Sequence, residues 1–344
     1  MEENTLKSGY ATIIGRPNVG KSTLLNELMG QKLAITSNKP QTTRNRIRAV
    51  LTDEKRGQIV FLDTPGIHKA GNKLGEYMYS IVKESIGDVD VIIYLVDTSF
   101  PIKLSDKKII ETLKDVGKPV ILGINKIDMI KKEQVLPIIA AYEELMDFEG
   151  IFPFSARNGM GCDELLKCVF DNLSVGPFFY DPDEYTDQTE KQLVSEIIRE
   201  KSLHALRDEI PHGIAVTVES MKERKKSKRD YPAMSANKDK GSKNGNKSGK
   251  SDDRAESINP REREINSTHV MDIDATIYCE KDSHKGIIIG KGGSMLKKIG
   301  TNARYEIEKM LEEPVNLQLH VKVRKDWRDN VGLLKSLGYT EKKE

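Results

Sequence analysis

Short apolar runs punctuate the first half of the chain. Tyr10-Ala11-Thr12-Ile13-Ile14, Ile59-Val60-Phe61-Leu62, Val91-Ile92-Ile93-Tyr94-Leu95-Val96, Pro119-Val120-Ile121-Leu122-Gly123-Ile124 and Ile151-Phe152-Pro153-Phe154 are each strand-sized and mostly apolar. Runs of this length without alternation read as strands buried on both faces, the pattern of a mostly parallel sheet. Thr23-Leu24-Leu25-Asn26-Glu27-Leu28-Met29 reads instead as a helix. The alternation of the two continues to about Leu173 and predicts an α/β domain over residues 1–175.

Beyond that point the pattern changes. Ser174-Val175-Gly176-Pro177, followed by an acidic stretch to Asp187, reads as a linker over 176–187. Leu193, Ile197, Ile198, Leu203 and Leu206 fall near helical spacing, and Ile214-Ala215-Val216-Thr217-Val218 alternates as a strand should. Further strands are expected over 270–279 and 315–323. Between them the pattern predicts a helix, a glycine loop and a second helix containing Ile299 to Leu311. This order predicts a smaller α+β domain over 188–330, with a tail over 331–344.

Composition narrows the class. A chain of 344 residues with 37% hydrophobic content suits two domains. The longest apolar runs are too short to span a bilayer, and Glu2 and Glu3 open the chain without a basic segment or apolar run. No signal peptide is expected, and a cytoplasmic monomer is. Cys162, Cys168 and Cys279 have neither zinc-site spacing nor an even count, so they read as buried thiols. The net charge of +2 conceals a gradient, since residues 222–250 carry eleven Lys or Arg against three acidic residues. A disordered insertion is expected over 222–267. It reads either as a salt-dependent RNA contact or as a solvated loop.

The chemistry begins at Gly15-Arg16-Pro17-Asn18-Val19-Gly20-Lys21-Ser22, with Thr23 at its helical end. The spacing GxxxxGK[ST] between a strand and a helix makes a phosphate cradle, because backbone N–H groups converge at a helix N-terminus. Lys21 is expected to reach the β- and γ-phosphates, and the Ser22 hydroxyl to ligate Mg²⁺. Asn125-Lys126-Ile127-Asp128 follows an apolar strand, at the end where open α/β sheets bind ligands. The Asp128 carboxylate can accept from guanine N1–H and the N2 amino group, which adenine cannot offer. Alone the tetrapeptide would read as a helix cap; its position favours guanine. Asp63-Thr64-Pro65-Gly66 closes another strand, with Asp63 placed to hold Mg²⁺ through water and the Gly66 N–H to face a γ-phosphate.

With Gln41-Thr42-Thr43-Arg44 and Ser155-Ala156 added, these motifs together resemble the Era family of translation-factor-type GTPases. Gly286-Ile287-Ile288-Ile289-Gly290-Lys291-Gly292-Gly293 resembles the loop of a KH domain of bacterial type (type II), and WRDNVGLLKSLGY, from Trp327 to Tyr339, resembles the Era C-terminus. The resemblance implies a Ras-like P-loop GTPase domain with a mixed, mostly parallel sheet, followed by the KH domain. It implies Thr43 as the Mg²⁺ ligand from the switch segment, with Thr42 able to exchange roles. It implies backbone recognition of guanine by Ser155-Ala156, and binding of the 3′ end of 16S ribosomal RNA during 30S subunit maturation. Gly290, Lys291, Gly292, Gly293, Lys297 and Lys298 are the candidate RNA contacts. A peripheral membrane contact is also a family trait. The basic insertion departs from the family, where a shorter connection is expected.

Hydrolysis is expected to be slow. Ile67 stands where Ras-like enzymes carry a water-orienting glutamine, and it cannot polarise water. Asn18 is a candidate K⁺ ligand, as in related GTPases, or a residue that stabilises the turn. His68 reads as a loop residue rather than a base. An RNA chaperone that uses GTP only as a gate, and a membrane-associated cell-cycle regulator, are the rival readings.

Overall fold

The computed structural model describes residues 6–37, 39, 42–67, 71–226 and 268–339. His68, Gln41, residues 340–344 and residues 227–267 of the expected insertion lie outside them.

Six strands form the first sheet: β1 (Lys7–Gly15), β2 (Ile47–Asp53), β3 (Gly57–Asp63), β4 (Val91–Asp97), β5 (Val120–Asn125) and β6 (Gly150–Pro153). Their order is β2-β3-β1-β4-β5-β6, with β2 antiparallel to β3 and every other pairing parallel. Side chains of successive residues point to opposite faces, and both faces are covered. Ile13, Val91 and Ile93 pack with Leu24 and Leu25 of α1 (Lys21–Met29) and Leu165 and Val169 of α5 (Cys162–Asp171). Ile14, Ile92 and Tyr94 face the other way, toward Val82 of α2 (Lys73–Gly87), Ile109 and Ile110 of α3 (Leu104–Lys114) and Ile138 of α4 (Val135–Glu143). Unbroken apolar runs result because neither face of these strands meets water. All the nucleotide motifs sit on loops at one end of this sheet.

The second unit runs α6 (Glu190–Ala205), β7 (Ala215–Lys225), β8 (His269–Cys279), α7 (Asp282–Ile289), α8 (Ser294–Leu311) and β9 (Val315–Val323). Its sheet, β7-β8-β9, pairs β7 and β8 antiparallel and β8 and β9 parallel. This is the KH order of type II. Thr189 starts α6 with a capping box, accepting from the Gln192 N–H while the Thr189 N–H donates to Gln192 Oε1. Val194, Ile198, Ile277, Ile299, Ala303 and Ile307 fill the core between helices and sheet.

Two boundaries differ from those expected, and the linker between the units is docked. Residues 222–225 are strand, paired to 269–272 of β8, because the β7 ladder continues past the first lysines, whose side chains stay in water. The segment 176–187 is no loose tether: Gln58 Oε1 accepts from the N–H groups of Phe179 and Tyr180, and the Val50 N–H donates to Tyr185 O. The start of the tail folds as α9 (Val331–Ser336), capped by Asn330. Its Leu334, with Leu337 and Tyr339, joins Trp327, Tyr278 and Ala215 against Leu74 and Met78 of α2. This fourth cluster ties the two units together.

Candidate nucleotide and RNA sites

Local backbone shape builds the phosphate loop. Gly20 has φ 107, and a Cβ there would lie 2.1 Å from Asn125 Nδ2, so glycine is required both by conformation and by room. Asn18 adopts φ 65, a left-handed turn that asparagine tolerates, and its side chain is exposed. Lys21 is 7% exposed; its Nζ donates to the Gly15 and Arg16 carbonyls at 3.3 and 3.1 Å. Burial pushes this ammonium down to about 8. The Arg16 side chain leaves the loop, pairing with Asp106 at 2.7 Å and Asp97 at 3.0 Å, while Tyr94 donates to Asp106 at 2.9 Å. Sequence reading passed over Asp97 and Asp106, because carboxylates one strand and one helix away carry no local signature.

Three oxygen-bearing side chains from three segments converge beside Lys21. Ser22 Oγ lies 2.9 Å from Thr43 Oγ1 and donates to Asp63 Oδ2 at 3.1 Å; Thr43 Oγ1 is 3.5 Å from the same carboxylate. Asp63 is wholly buried, its Oδ1 has no hydrogen-bond partner among the described residues, and burial raises its carboxyl to about 6 despite Lys21, Ser22 and Thr43. An orphaned carboxylate oxygen among hydroxyls is a donor set that suits a hard divalent cation. Thr42 turns away: its hydroxyl donates to Lys39 O at 2.7 Å and its carbonyl accepts from Arg199 of α6. The geometry therefore separates the two threonines, placing Thr43 in the cluster.

The loop after β3 is anchored at both ends. Thr64 Oγ1 donates to Ile13 O at 3.0 Å, and the Ile67 N–H donates to Gly15 O at 3.1 Å. Between them Pro65 leads to Gly66, where a Cβ would lie 2.9 Å from Pro17 Cα, so the two loops touch backbone to backbone. The Ile67 side chain packs on the cluster of Ile14, Leu62 and Tyr94. It supplies packing where other GTPases supply a polar group.

Asn125 joins the remaining loops. Its amide donates to Val19 O at 2.9 Å, and its Oδ1 accepts from the N–H groups of Lys126 at 2.7 Å and Ala156 at 2.9 Å. The Lys126 ammonium donates to Asn18 O at 2.6 Å. Asp128 is exposed on a short turn, Ile127–Met129, and accepts from Ser155 Oγ at 2.7 Å, which orients the carboxylate toward incoming donors. One expectation is corrected. The Ala156 N–H is committed to Asn125 and the Ser155 N–H to Met160 O, so neither faces outward to guanine in this structure.

The second unit presents a groove of about 620 Å³ between α8, β9 and the start of β8. Gly290, with φ 73, begins a turn through Lys291 and Gly292 to Gly293, where α8 starts. Gly293 and Lys297 line the groove; Lys291 and Lys298 are exposed beside it. Thr301, Arg304, Leu317, Leu319 and Lys226 also line it and were missed. The i, i+4, i+7 spacing of Lys297, Thr301 and Arg304 on one helix face is the signal that would have found two of the missed residues. Ile287–Ile289 of the preceding helix do not line it, and Ile288 is buried in the core.

Comparison with known proteins agrees with both halves. A family model described as 50S ribosome-binding GTPase matches residues 10–126, and a KH-domain model matches residues 256–328. GTPase Era of Ruminiclostridium cellulolyticum is 47% identical over 337 residues, covering 98% of this chain and 99% of that relative. GTPase Era of Clostridioides difficile is 45% identical over 337 residues, with the same coverage. Among solved structures, Era in complex with MgGDPNP and nucleotides 1506–1542 of 16S ribosomal RNA aligns with a TM-score of 0.82 and 35% identity, over 98% of this chain and 100% of that one. A variant of Aquifex aeolicus Era bound to GDP·AlF4⁻ gives the same TM-score, identity and coverage.

Proposed function

Because this chain belongs to the Era family of GTPases, we propose that it is a GTP-hydrolysing switch that holds the 3′ end of 16S ribosomal RNA and assists 30S subunit maturation. The observation that carries the reading is the meeting of Ser22, Thr43 and Asp63 beside Lys21. These residues fit Mg²⁺: the two hydroxyls would ligate it directly and Asp63 through water. Mg²⁺ bound there neutralises charge on the β- and γ-phosphate oxygens.

The residues around it do the rest. Lys21 exchanges the Gly15 and Arg16 carbonyls for phosphate oxygens, while the backbone N–H groups of residues 18–23 surround the phosphates. Asp128 selects guanine, and Asn125 holds its loop against the phosphate loop. Since Ile67 is packed on apolar neighbours, no group at that position orients water, and turnover is slow. We assign to Asn18 a K⁺ beside the phosphates; its exposed side chain at the loop's turn supports this. Equal hydrolysis rates in K⁺ and Na⁺ buffers would remove that assignment.

RNA enters the groove of α8 and β9, with Gly290, Lys291, Gly292 and Gly293 meeting its backbone and Lys297 and Lys298 its phosphates. We place the domain limits at 1–175 for the GTPase and 188–330 for the KH unit, with a tail over 331–344. Among the described residues no helix is long and apolar enough to cross a membrane. We place the protein in the cytoplasm, a monomer with at most peripheral membrane contact. The test is to crosslink the GTP-bound protein to cellular RNA and to measure multiple-turnover phosphate release. Recovery of RNA outside the 16S 3′ end, or release that stops after one turnover, overturns the reading.

A further inference from the structure

Arg44 follows Thr43 directly, yet its side chain leaves the nucleotide site. The residue is 1% exposed. Nη1 donates to Ile214 O at 2.6 Å and to the Tyr339 hydroxyl at 3.2 Å, and Nη2 donates to His212 O at 3.1 Å. The guanidinium carbon lies 5.5 Å from the Trp327 ring centroid and 5.9 Å from that of Tyr339. Those two rings stack on each other at 5.7 Å, and the Trp327 indole N–H is fixed to Gly213 O at 3.0 Å. Every one of these partners lies beyond residue 211, outside the nucleotide-binding sheet.

This cage holds a cation without a carboxylate. Carbonyl oxygens and ring faces surround the charge, Glu196 acts on it only from a distance, and Nε has no hydrogen-bond partner among the described residues. A buried guanidinium so held is an expensive device for stability alone, where an apolar side chain would serve as well. It makes sense as a contact that forms and breaks. The neighbouring residue is gripped from the same side, since Arg199 of α6 donates to Thr42 O. The peptide carrying Thr43 is thus clasped on both flanks by the C-terminal half.

Resting on the reading of Thr43 as a metal ligand, we propose that Arg44 is a positioning residue for GTP hydrolysis: seated between Trp327 and Tyr339, it sets the Thr43 hydroxyl at the Ser22–Asp63 cluster. Docking of the C-terminal segment and completion of the metal site are then one event. The Arg44 side chain is directed away from the Ser22–Asp63 cluster, into the C-terminal cage.

The chain supplies its own reporter, because Trp327 is its single tryptophan. In the full-length protein, Trp327 emission should differ between the GDP and non-hydrolysable GTP-analogue states with Mg²⁺. Tyr339→Phe removes only a hydroxyl and Arg44→Lys keeps the charge, so both should fold, as thermal melting will check. Each should lower kcat roughly tenfold, the loss of one charge-assisted hydrogen bond expressed as a rate. Each should also raise the Mg²⁺ concentration giving half-maximal rate, abolish the emission difference and leave GDP affinity within about twofold. Unchanged kcat and Mg²⁺ dependence in both variants, with Thr43→Ala inactive, sinks the clasp and spares the metal site. Full activity of Thr43→Ala overturns the metal-site reading and the clasp with it.

Discussion

Replacing Asn125 with alanine removes the side chain that joins the phosphate loop to both base-binding loops. Three hydrogen bonds go, to Val19 O, the Lys126 N–H and the Ala156 N–H, at 2.9, 2.7 and 2.9 Å, from a residue 2% exposed. At ~1 kcal/mol each the loss is about 3 kcal/mol, before any penalty for the buried groups left unpaired. These bonds are internal to the protein, so part of the loss falls on the fold itself. If all of it does, the GTPase melting transition drops by roughly 6–12 °C for a domain of this size. If instead the loops loosen and nucleotide must reorder them, GDP affinity falls by up to ~150-fold. Scanning calorimetry and titration of GDP in Mg²⁺ together measure both shares. Asn125→Asp keeps an acceptor for the two N–H groups but sets a carboxylate against Val19 O, and should fall between. A melting point within ~2 °C of the parent and a GDP affinity within ~threefold would refute the account, for the loss would then appear nowhere.

Asp128→Asn replaces an acceptor pair with one acceptor and one donor. GTP affinity should fall ~10²- to 10⁴-fold while xanthosine triphosphate gains, as nucleotide titration will show; unaltered base preference would contradict the role. Glu200 accepts from Lys32 and Lys201 at 2.6 and 2.9 Å, and Glu306 from the same two lysines, joining α6 and α8 to the end of α1. Burial works to raise both carboxyls, but the lysines outweigh it and hold them below their ordinary 4.5. Their stabilisation is therefore complete above that pH and lost as pH falls below it. Melting curves should show an acid limb that is shallower in Glu200→Gln; parallel limbs would dismiss the bridge. Lys297→Ala should weaken single-stranded RNA binding across sequences and reduce the salt slope by about 0.7. An unchanged slope would place Lys297 off the RNA path.

How much of this could be read beforehand depends on how locally each feature is encoded. The strands of the first sheet announce themselves because burial on both faces leaves unbroken apolar runs such as residues 91–96. β2 was passed over, since Ile47–Asp53 mixes Arg48, Thr52 and Asp53 into a strand at the sheet's edge. The phosphate loop and Asn125-Lys126-Ile127-Asp128 are contiguous, so spacing alone identified them. Thr43 over Thr42 was implied by resemblance; the tertiary reason is that α6 takes the Thr42 carbonyl. The same applies to Ala156, whose N–H is claimed by a side chain 31 positions earlier. Residues 222–225 looked like the start of an insertion because charge was read without the partner strand, whose ladder extends to His269. Arg44 offered no signal: its cage is assembled from residues up to 295 positions away.

That separation also has a meaning in time. The nucleotide-binding sheet and its helices are complete once Leu173 has been made. Tyr339, which closes the ring around Arg44, follows 166 residues later. At ~5–20 residues per second, translation takes about 8–33 s to cover that distance. During that interval a nascent chain has a finished phosphate loop but a switch segment whose Arg44 seat is incomplete. Each molecule thus begins life as a nucleotide binder and acquires its Arg44 seat only as synthesis nears its last residues.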